Sequence, residues 1–350
     1  MAKKKLQDIA HSWKEAKVWA DKPTLKTGLL PVDYVFTGGI SVGRAIELYG
    51  KASCGKTTLS LYLMGKFMKD FPDKKVMFID AEFAFAGLWA QLNGVDIKDE
   101  RFQIVYPEDG NEILWAIEQA VRSGDYSFIV LDSIGSLYFD GEFEVKEKSN
   151  RFETNTKVAN IAKVLTPFLR KMTKPLWMSN TTFLMLNHMR QKINTGGPRT
   201  LGDTVPGGTQ KEHMSTYRIK LNRLGNSNLP GSLQDTHVLS SLKSVKNKGG
   251  GHDERYIDSL FIDKANGIDR GLSNMTFLQK LGLCEDLVYQ KGSYYYVGDK
   301  KAMGKEQGKE LFVKSGIIDQ IYERDEVNAV LSGTNEIKRN KEYKLVVGED

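Results

Sequence analysis

This chain has very few cysteines. Cys54 and Cys284 are the only two among 350 residues, they stand far apart, and neither belongs to a Cys-rich or His-rich spacing, so the sequence offers no disulfide framework and no structural zinc site. Long apolar runs are missing as well. The opening MAKKKLQDIAHSWKEAKVWA holds no block of signal-peptide length, and no later stretch approaches the ~18 uninterrupted apolar residues of a membrane span. A cytoplasmic protein without a membrane partner is the expectation. Internal repeats and low-complexity tracts are absent too. What is present is the composition of a globular protein, 40% hydrophobic and 27% charged, in a chain long enough for a large domain and a smaller one. The formal net charge of +6 permits a polyanionic partner without requiring one, so the placement of the cations has to decide.

Between residues 45 and 187, short apolar runs alternate with amphipathic stretches: AIELYG, KKVMFIDAE, RFQIVYP, SFIVLDS and TTFLMLNH are the runs. This alternation predicts an α/β fold with a mainly parallel β-sheet flanked by helices. TTLSLYLMGKFMKDF, from Thr57, and EILWAIEQAVRSG, from Glu112, carry apolar residues at helical spacing and are expected to pack on the sheet. Residues 1–20 read as a basic amphipathic helix, and Lys22-Pro23 with Thr27-Gly28 marks a break after it. The expected organisation is an N-terminal helical arm over 1–26, a core over 27–265 and a small α+β C-terminal domain over 266–350. A strand is expected at about 256–263, then a helix near SNMTFLQKLG and a strand at SYYYVGD.

The segment Gly50-Lys51-Ala52-Ser53-Cys54-Gly55-Lys56-Thr57-Thr58 satisfies G-x-x-x-x-G-K-[ST], with an apolar run before it and an amphipathic stretch after it. Glycines let successive N–H groups turn toward one point, a helix start adds its positive end, and the Lys56 ammonium can reach outer phosphates. A nucleoside triphosphate site is predicted in preference to a plain glycine-rich turn. Thr57 would supply a hydroxyl to Mg²⁺, and Asp132, ending SFIVLD, fits the aspartate such a site needs, although Asp-Ser is ordinary turn chemistry as well. Glu82, in FIDAEFAF, can polarise an attacking water. Asp80 competes for that job from inside the apolar run.

Taken in order, TGLLPVDYVFTGGISVGRAIELYG, the cradle, FIDAEFAF with LNGVD, VLDSIGSL, LNHMRQKI, Gly207-Gly208 and SVKNKG resemble the RecA-type recombinases from about Thr27 to about Leu311. The resemblance implies a RecA-type P-loop ATPase core that uses ATP and Mg²⁺. It further implies a homo-oligomer, a helical filament on single-stranded DNA that pairs with homologous double-stranded DNA and exchanges strands, with residues 1–26 as its oligomerisation arm. By the same resemblance Glu82 and Lys56 are catalytic, Asp132 is associated with Mg²⁺, Trp89 faces adenine, and Lys246 and Lys248 reach across to the ATP of the adjacent subunit. Asn187 and His188 fall at the sensor of the terminal phosphate. Apart from the family match, Trp89 reads equally as a core tryptophan, and the two lysines as surface residues flanking a turn.

Two long stretches, about 139–154 and 190–210, interrupt the alternating pattern where the family has its DNA-facing loops. The second, with its border, carries Arg190, Lys192, Arg199 and Lys211 among Gly196, Gly197, Gly207 and Gly208, so cations sit among residues that let the main chain approach phosphates. Arg170, between the two stretches, matches a DNA-backbone position. Neither stretch is rich in aromatics, which predicts backbone holding over base stacking there. Farther on, Lys300, Lys301, Lys305 and Lys309 either guide duplex DNA or form a soluble basic surface.

Some positions depart from the family. His188 stands where the usual pattern has glutamine; a neutral imidazole donates one hydrogen bond. Glu212 and His213 replace a lysine and a phenylalanine, Ala86 replaces an acidic residue, and no acidic tail is evident in EIKRNKEYKLVVGED. These differences point toward a phage-encoded or divergent member, acting in bacterial or phage-infected host cytoplasm. The competing readings are a hexameric DNA helicase on the same core, a small-molecule kinase, and a DNA-binding module without enzymatic activity.

Overall fold

All six residues of AIELYG are buried, and so is YSFIVLD after its first residue, the signature of strands covered by helices on both faces. The computed structural model describes residues 22–139, 143–146, 151–154, 157–192, 201–204, 215–226, 229, 233–249 and 254–333. Along the first half run β1 (Thr24–Leu25), α1 (Leu30–Val35), β2 (Ile40–Ser41), β3 (Ala45–Gly50), α2 (Lys56–Asp70), β4 (Lys75–Asp80), α3 (Gly87–Leu92), β5 (Phe102–Val105), α4 (Gly110–Ser123) and β6 (Tyr126–Asp132). Next come β7 (Phe143–Lys146), β8 (Arg151–Thr154), α5 (Lys157–Ser179), β9 (Thr182–His188), β10 (Arg190–Lys192), β11 (Leu201–Thr204), β12 (Tyr217–Arg223), β13 (His237–Asn247), β14 (Tyr256–Asp263) and β15 (Gly267–Ile268). The chain continues with α6 (Arg270–Leu281), β16 (Val288–Lys291), β17 (Tyr294–Val297), β18 (Lys300–Met303), α7 (Lys305–Ser315), α8 (Ile317–Glu323) and α9 (Asp325–Ser332).

Nine strands form the central sheet in the order β15-β14-β13-β12-β3-β9-β6-β4-β5. Neighbours from β12 to β5 are parallel, and β13, β14 and β15 extend the sheet antiparallel. On one face α2 lies over Ile46, Leu48, Leu184 and Leu186, with the Phe67 and Phe128 rings stacked 4.3 Å apart. The other face buries Ile129, Leu131 and Met185 against Ile117 of α4 and Leu169 of α5. Helix α4 begins where the Asp109 side chain accepts from the N–H groups of Asn111 and Glu112, and stops at left-handed Gly124. No helix among the described residues is long and apolar enough to cross a membrane.

The two stretches expected as loops both contain antiparallel pairs, β7 with β8 and β10 with β11. Residues 1–21, Gly196, Gly197, Arg199, Gly207, Gly208, Lys211, Glu212 and His213 lie outside the described residues. Beyond β15, α6 packs on α1 and β14, so the apolar cluster runs unbroken from Leu25 to Leu331. At this junction the Asp33 carboxylate accepts from the Thr27 N–H at 3.0 Å and the Thr27 hydroxyl at 2.8 Å. It also accepts from the Tyr322 hydroxyl of α8. Burial nevertheless pushes the Asp33 pKa up to about 6.

Candidate active site

The carboxyl ends of β3, β9, β6 and β4 meet at one edge of the sheet, the place where open parallel sheets bind ligands. The cradle follows β3. A Cβ on Gly50 would meet the Leu221 carbonyl oxygen and lie 2.8 Å from Cys54 Sγ, so only glycine lets the chain leave the strand here. Gly55 has φ +90, and a Cβ there would run into Ile262. The Ser240 hydroxyl holds the Cys54 carbonyl at 3.0 Å, pinning the loop to β13. Lys51, Ala52 and Ser53 are exposed at the tip. Helix α2 starts at Gly55 with no side chain capping its first N–H groups.

Lys56 is buried and turns back onto its own loop, donating to the Gly50 and Lys51 carbonyls at 3.2 and 3.0 Å. Its Nζ also lies 3.4 Å from His188 Nδ1. An ammonium can only donate, so this contact requires a bare Nδ1 and puts the ring proton on Nε2, which faces Glu82 Oε1 at 3.3 Å. The same carboxylate oxygen accepts from the Ser133 hydroxyl at 2.5 Å and the Ser136 hydroxyl at 3.2 Å. Thr57 Oγ1 donates to Asp132 Oδ2 at 2.7 Å. Burial pushes the Asp132 pKa up to about 6; the Thr57 hydrogen bond opposes the rise, and the nearby Glu82 and Asp80 carboxylates reinforce it. Crowded carboxyl oxygens of this kind gain from a divalent cation.

Asp80, the competing carboxylate, is placed differently from Glu82. It is buried, and its oxygens accept from the backbone N–H groups of Glu82, Ala84 and Phe85 at 3.2, 3.2 and 2.8 Å, so it shapes the turn that carries Glu82. Trp89 is half-buried against the main apolar cluster, and its indole N–H reaches the Thr58 hydroxyl at 3.2 Å, behind the first turn of α2.

Of the expected sensor pair, only His188 meets the cradle. Neighbouring strand residues point to opposite faces, and Asn187 donates to Glu47 Oε1 at 2.9 Å on the far side of the sheet. Glu47 Oε2 accepts from Arg218 Nε at 2.7 Å, and the guanidinium lies 4.9 Å from the Tyr49 ring centroid. No spacing in the sequence singles out this buried trio, or Ser133 and Ser136. Glu47 was itself the signal, because a lone carboxylate inside an apolar run needs a buried partner.

Lys246 and Lys248 lie away from the cradle of their own chain. Lys246 is paired with Arg218 and Arg218 with Glu47, three residues before Gly50, or about 10 Å back along the strands. The Lys248 N–H bonds to the Thr216 carbonyl, beyond the start of β12. Arg170 is exposed on α5. Arg190 and Lys192 lie on β10, which starts two residues after His188. Between His188 and β10, the Met189 N–H donates to the Gly50 carbonyl at 3.1 Å.

The profile of the family described as RecA N-terminal domain matches residues 13–254. The chain is 30% identical over 318 residues to Protein RecA of Aquifex aeolicus, covering 89% of this chain and 86% of that protein. It is 32% identical over 301 residues to Protein RecA of Leptospira meyeri, covering 85% and 72%. Protein RecA of Crocosphaera subtropica is 29% identical over 287 residues, covering 81% and 76%. With the mainly parallel sheet and the glycine-framed cradle at its carboxyl edge, these matches make the chain a member of the RecA family.

Proposed function

We propose that this protein is an ATP-dependent recombinase that forms a helical filament on single-stranded DNA, pairs it with homologous duplex and exchanges strands. The observation that carries the reading is the Met189-to-Gly50 hydrogen bond. It ties the first glycine of the cradle to the boundary between His188 and the cationic stretch that begins at Arg190.

The residues present fit MgATP: uncapped N–H groups at the start of α2, a left-handed Gly55, and the Thr57–Asp132 oxygen pair. When bound, it supplies the phosphoanhydride to be hydrolysed and the charge to which the cradle responds. In the proposed cycle Lys56 gives up the Gly50 and Lys51 carbonyls and directs its ammonium at phosphate oxygens. Thr57 and Asp132 hold Mg²⁺, Trp89 covers the base, and the Glu82 carboxylate, positioned by Ser133 and Ser136, takes a proton from the attacking water. His188 is released as Lys56 moves, and the shift passes to β10 through Met189.

Lys246 and Lys248 stand too far along the sheet to serve their own cradle, so they complete that of a neighbouring subunit. A head-to-tail contact of this kind builds an open helix when its rotation does not close. Arg170, Arg190, Lys192, Arg199 and Lys211, with the Gly207-Gly208 main chain, hold DNA phosphates. The test is ATP hydrolysis measured with and without single-stranded DNA over a salt series. Stimulation by DNA that disappears as salt rises is expected. Identical rates with and without DNA, or closed rings in electron micrographs, overturn the proposal.

A further inference from the structure

The three-stranded sheet β16-β17-β18 presents a face that the active site does not use. Alternate residues of a strand share a face. Val288, Tyr295 and Val297 are buried, and a Cβ on Gly308 of α7 would come within 2.6 Å of Tyr295 Cβ, so this side is packed against the body. The outward side carries Tyr289, Lys291, Tyr294, Tyr296, Lys301 and Met303. Strand register sets them in two rows, Tyr289-Tyr296-Lys301 and Lys291-Tyr294-Met303. The Tyr289 and Tyr296 rings stack with centroids 4.5 Å apart and planes 3° from parallel. The Lys301 ammonium lies 5.1 Å from the Tyr294 centroid.

This face is only partly covered. Tyr289 is 38%, Tyr294 40% and Met303 62% exposed. Both charged residues among the six are lysines, and Asp299 sits at the rim in the β17–β18 turn. The stacked pair leaves only its two outer ring faces open, and these faces, with the interleaved cations, complement a polyanion that also offers flat rings. We infer that this sheet is a stacking platform for unpaired bases of single-stranded DNA, with Lys291 and Lys301 taking the flanking phosphates. Duplex DNA does not suit it, because paired bases hide their faces from the tyrosines. Of the C-terminal lysines, Lys309 is taken up by Asp269 at 3.0 Å and by Glu306 at 2.5 Å.

The full-length protein is irradiated with an oligothymidine carrying 5-iodouracil, and the adducts are mapped by mass spectrometry. Adducts at Tyr289, Tyr294 or Tyr296 are expected. Tyr294→Leu combined with Tyr296→Leu should lower their yield by about tenfold or more, and Lys301→Glu should lower it separately, with thermal melting and DNA-independent ATP hydrolysis unchanged. No adduct within 288–303, an undiminished yield in the variants, or an equal yield from a blunt hairpin duplex overturns the inference. Because adduct position is the readout, its failure leaves the proposed role of the cradle intact.

Discussion

His188 touches both Lys56 and Glu82, the groups proposed to hold phosphates and to handle water, so its chemistry is testable without disturbing the fold. Glutamine also offers a donor group and an acceptor. His188→Gln should therefore keep DNA-stimulated hydrolysis within about threefold, whereas His188→Leu, which can relay nothing between Lys56 and Glu82, should lose at least about tenfold of the stimulation. The ratio of stimulated to basal rate is the measurement. Asp33 gives a pH prediction of opposite character, since it lies far from the chemistry. Its folded pKa of about 6 is above its ordinary value of 3.8. Its favourable contribution is therefore complete below the unfolded value and is lost as pH rises through about 6, leaving an ionised carboxylate that costs about 3 kcal/mol at pH 7. Asp33→Asn removes this dependence. The stability difference, wild type minus variant, should rise when urea unfolding is compared at pH 7 and pH 5, and a pH-independent difference contradicts the assignment.

At the scale of elements, the Glu47–Arg218–Asn187 trio ties β3 to β12 and β9, the strands that lead to the cradle and to His188. Arg218→Ala would strand a carboxylate that is 0% exposed, at a cost of about 3–5 kcal/mol. Replacing Glu47 and Arg218 together by leucine should recover much of that loss, because both desolvated charges disappear. Chemical denaturation of the single and double variants checks this. Equal destabilisation in both would mean that packing, not charge, sets the cost. The trio also shows why Asn187 and His188, adjacent in sequence, take separate parts: strand alternation sends one into the sheet interior and the other to the cradle.

Considered as a whole molecule, the cradle and the lysine pair occupy different ends of the same sheet, and the proposed function therefore assigns each nucleotide to two subunits. Lys56→Ala and the double variant Lys246→Ala/Lys248→Ala should each be inactive. Mixed in equal amounts, they form junctions in which an intact cradle meets intact lysines about one time in four, restoring about a quarter of the wild-type hydrolysis. No recovery on mixing, with filaments still forming, would assign the lysines to their own chain.

The apolar runs, their buried alternation and the cradle motif were legible from residue order alone, because strand and helix periodicities and a glycine-framed phosphate loop are local properties. The strand at Tyr256–Asp263, the helix from Arg270 and the strand at Tyr294–Val297 were legible for the same reason. Local order could not separate Asp80 from Glu82, because they stand two residues apart where the run closes and only the fold of the following turn commits Asp80 to backbone N–H groups. Nor could it pair Glu47 with Arg218 across 171 positions, bring the Asp33 carboxylate to Tyr322, or reveal that the tyrosines of β16 and β17 share one face. Those outcomes depend on strand register and helix packing between distant segments, and the chain acquires them only when its sheet is assembled.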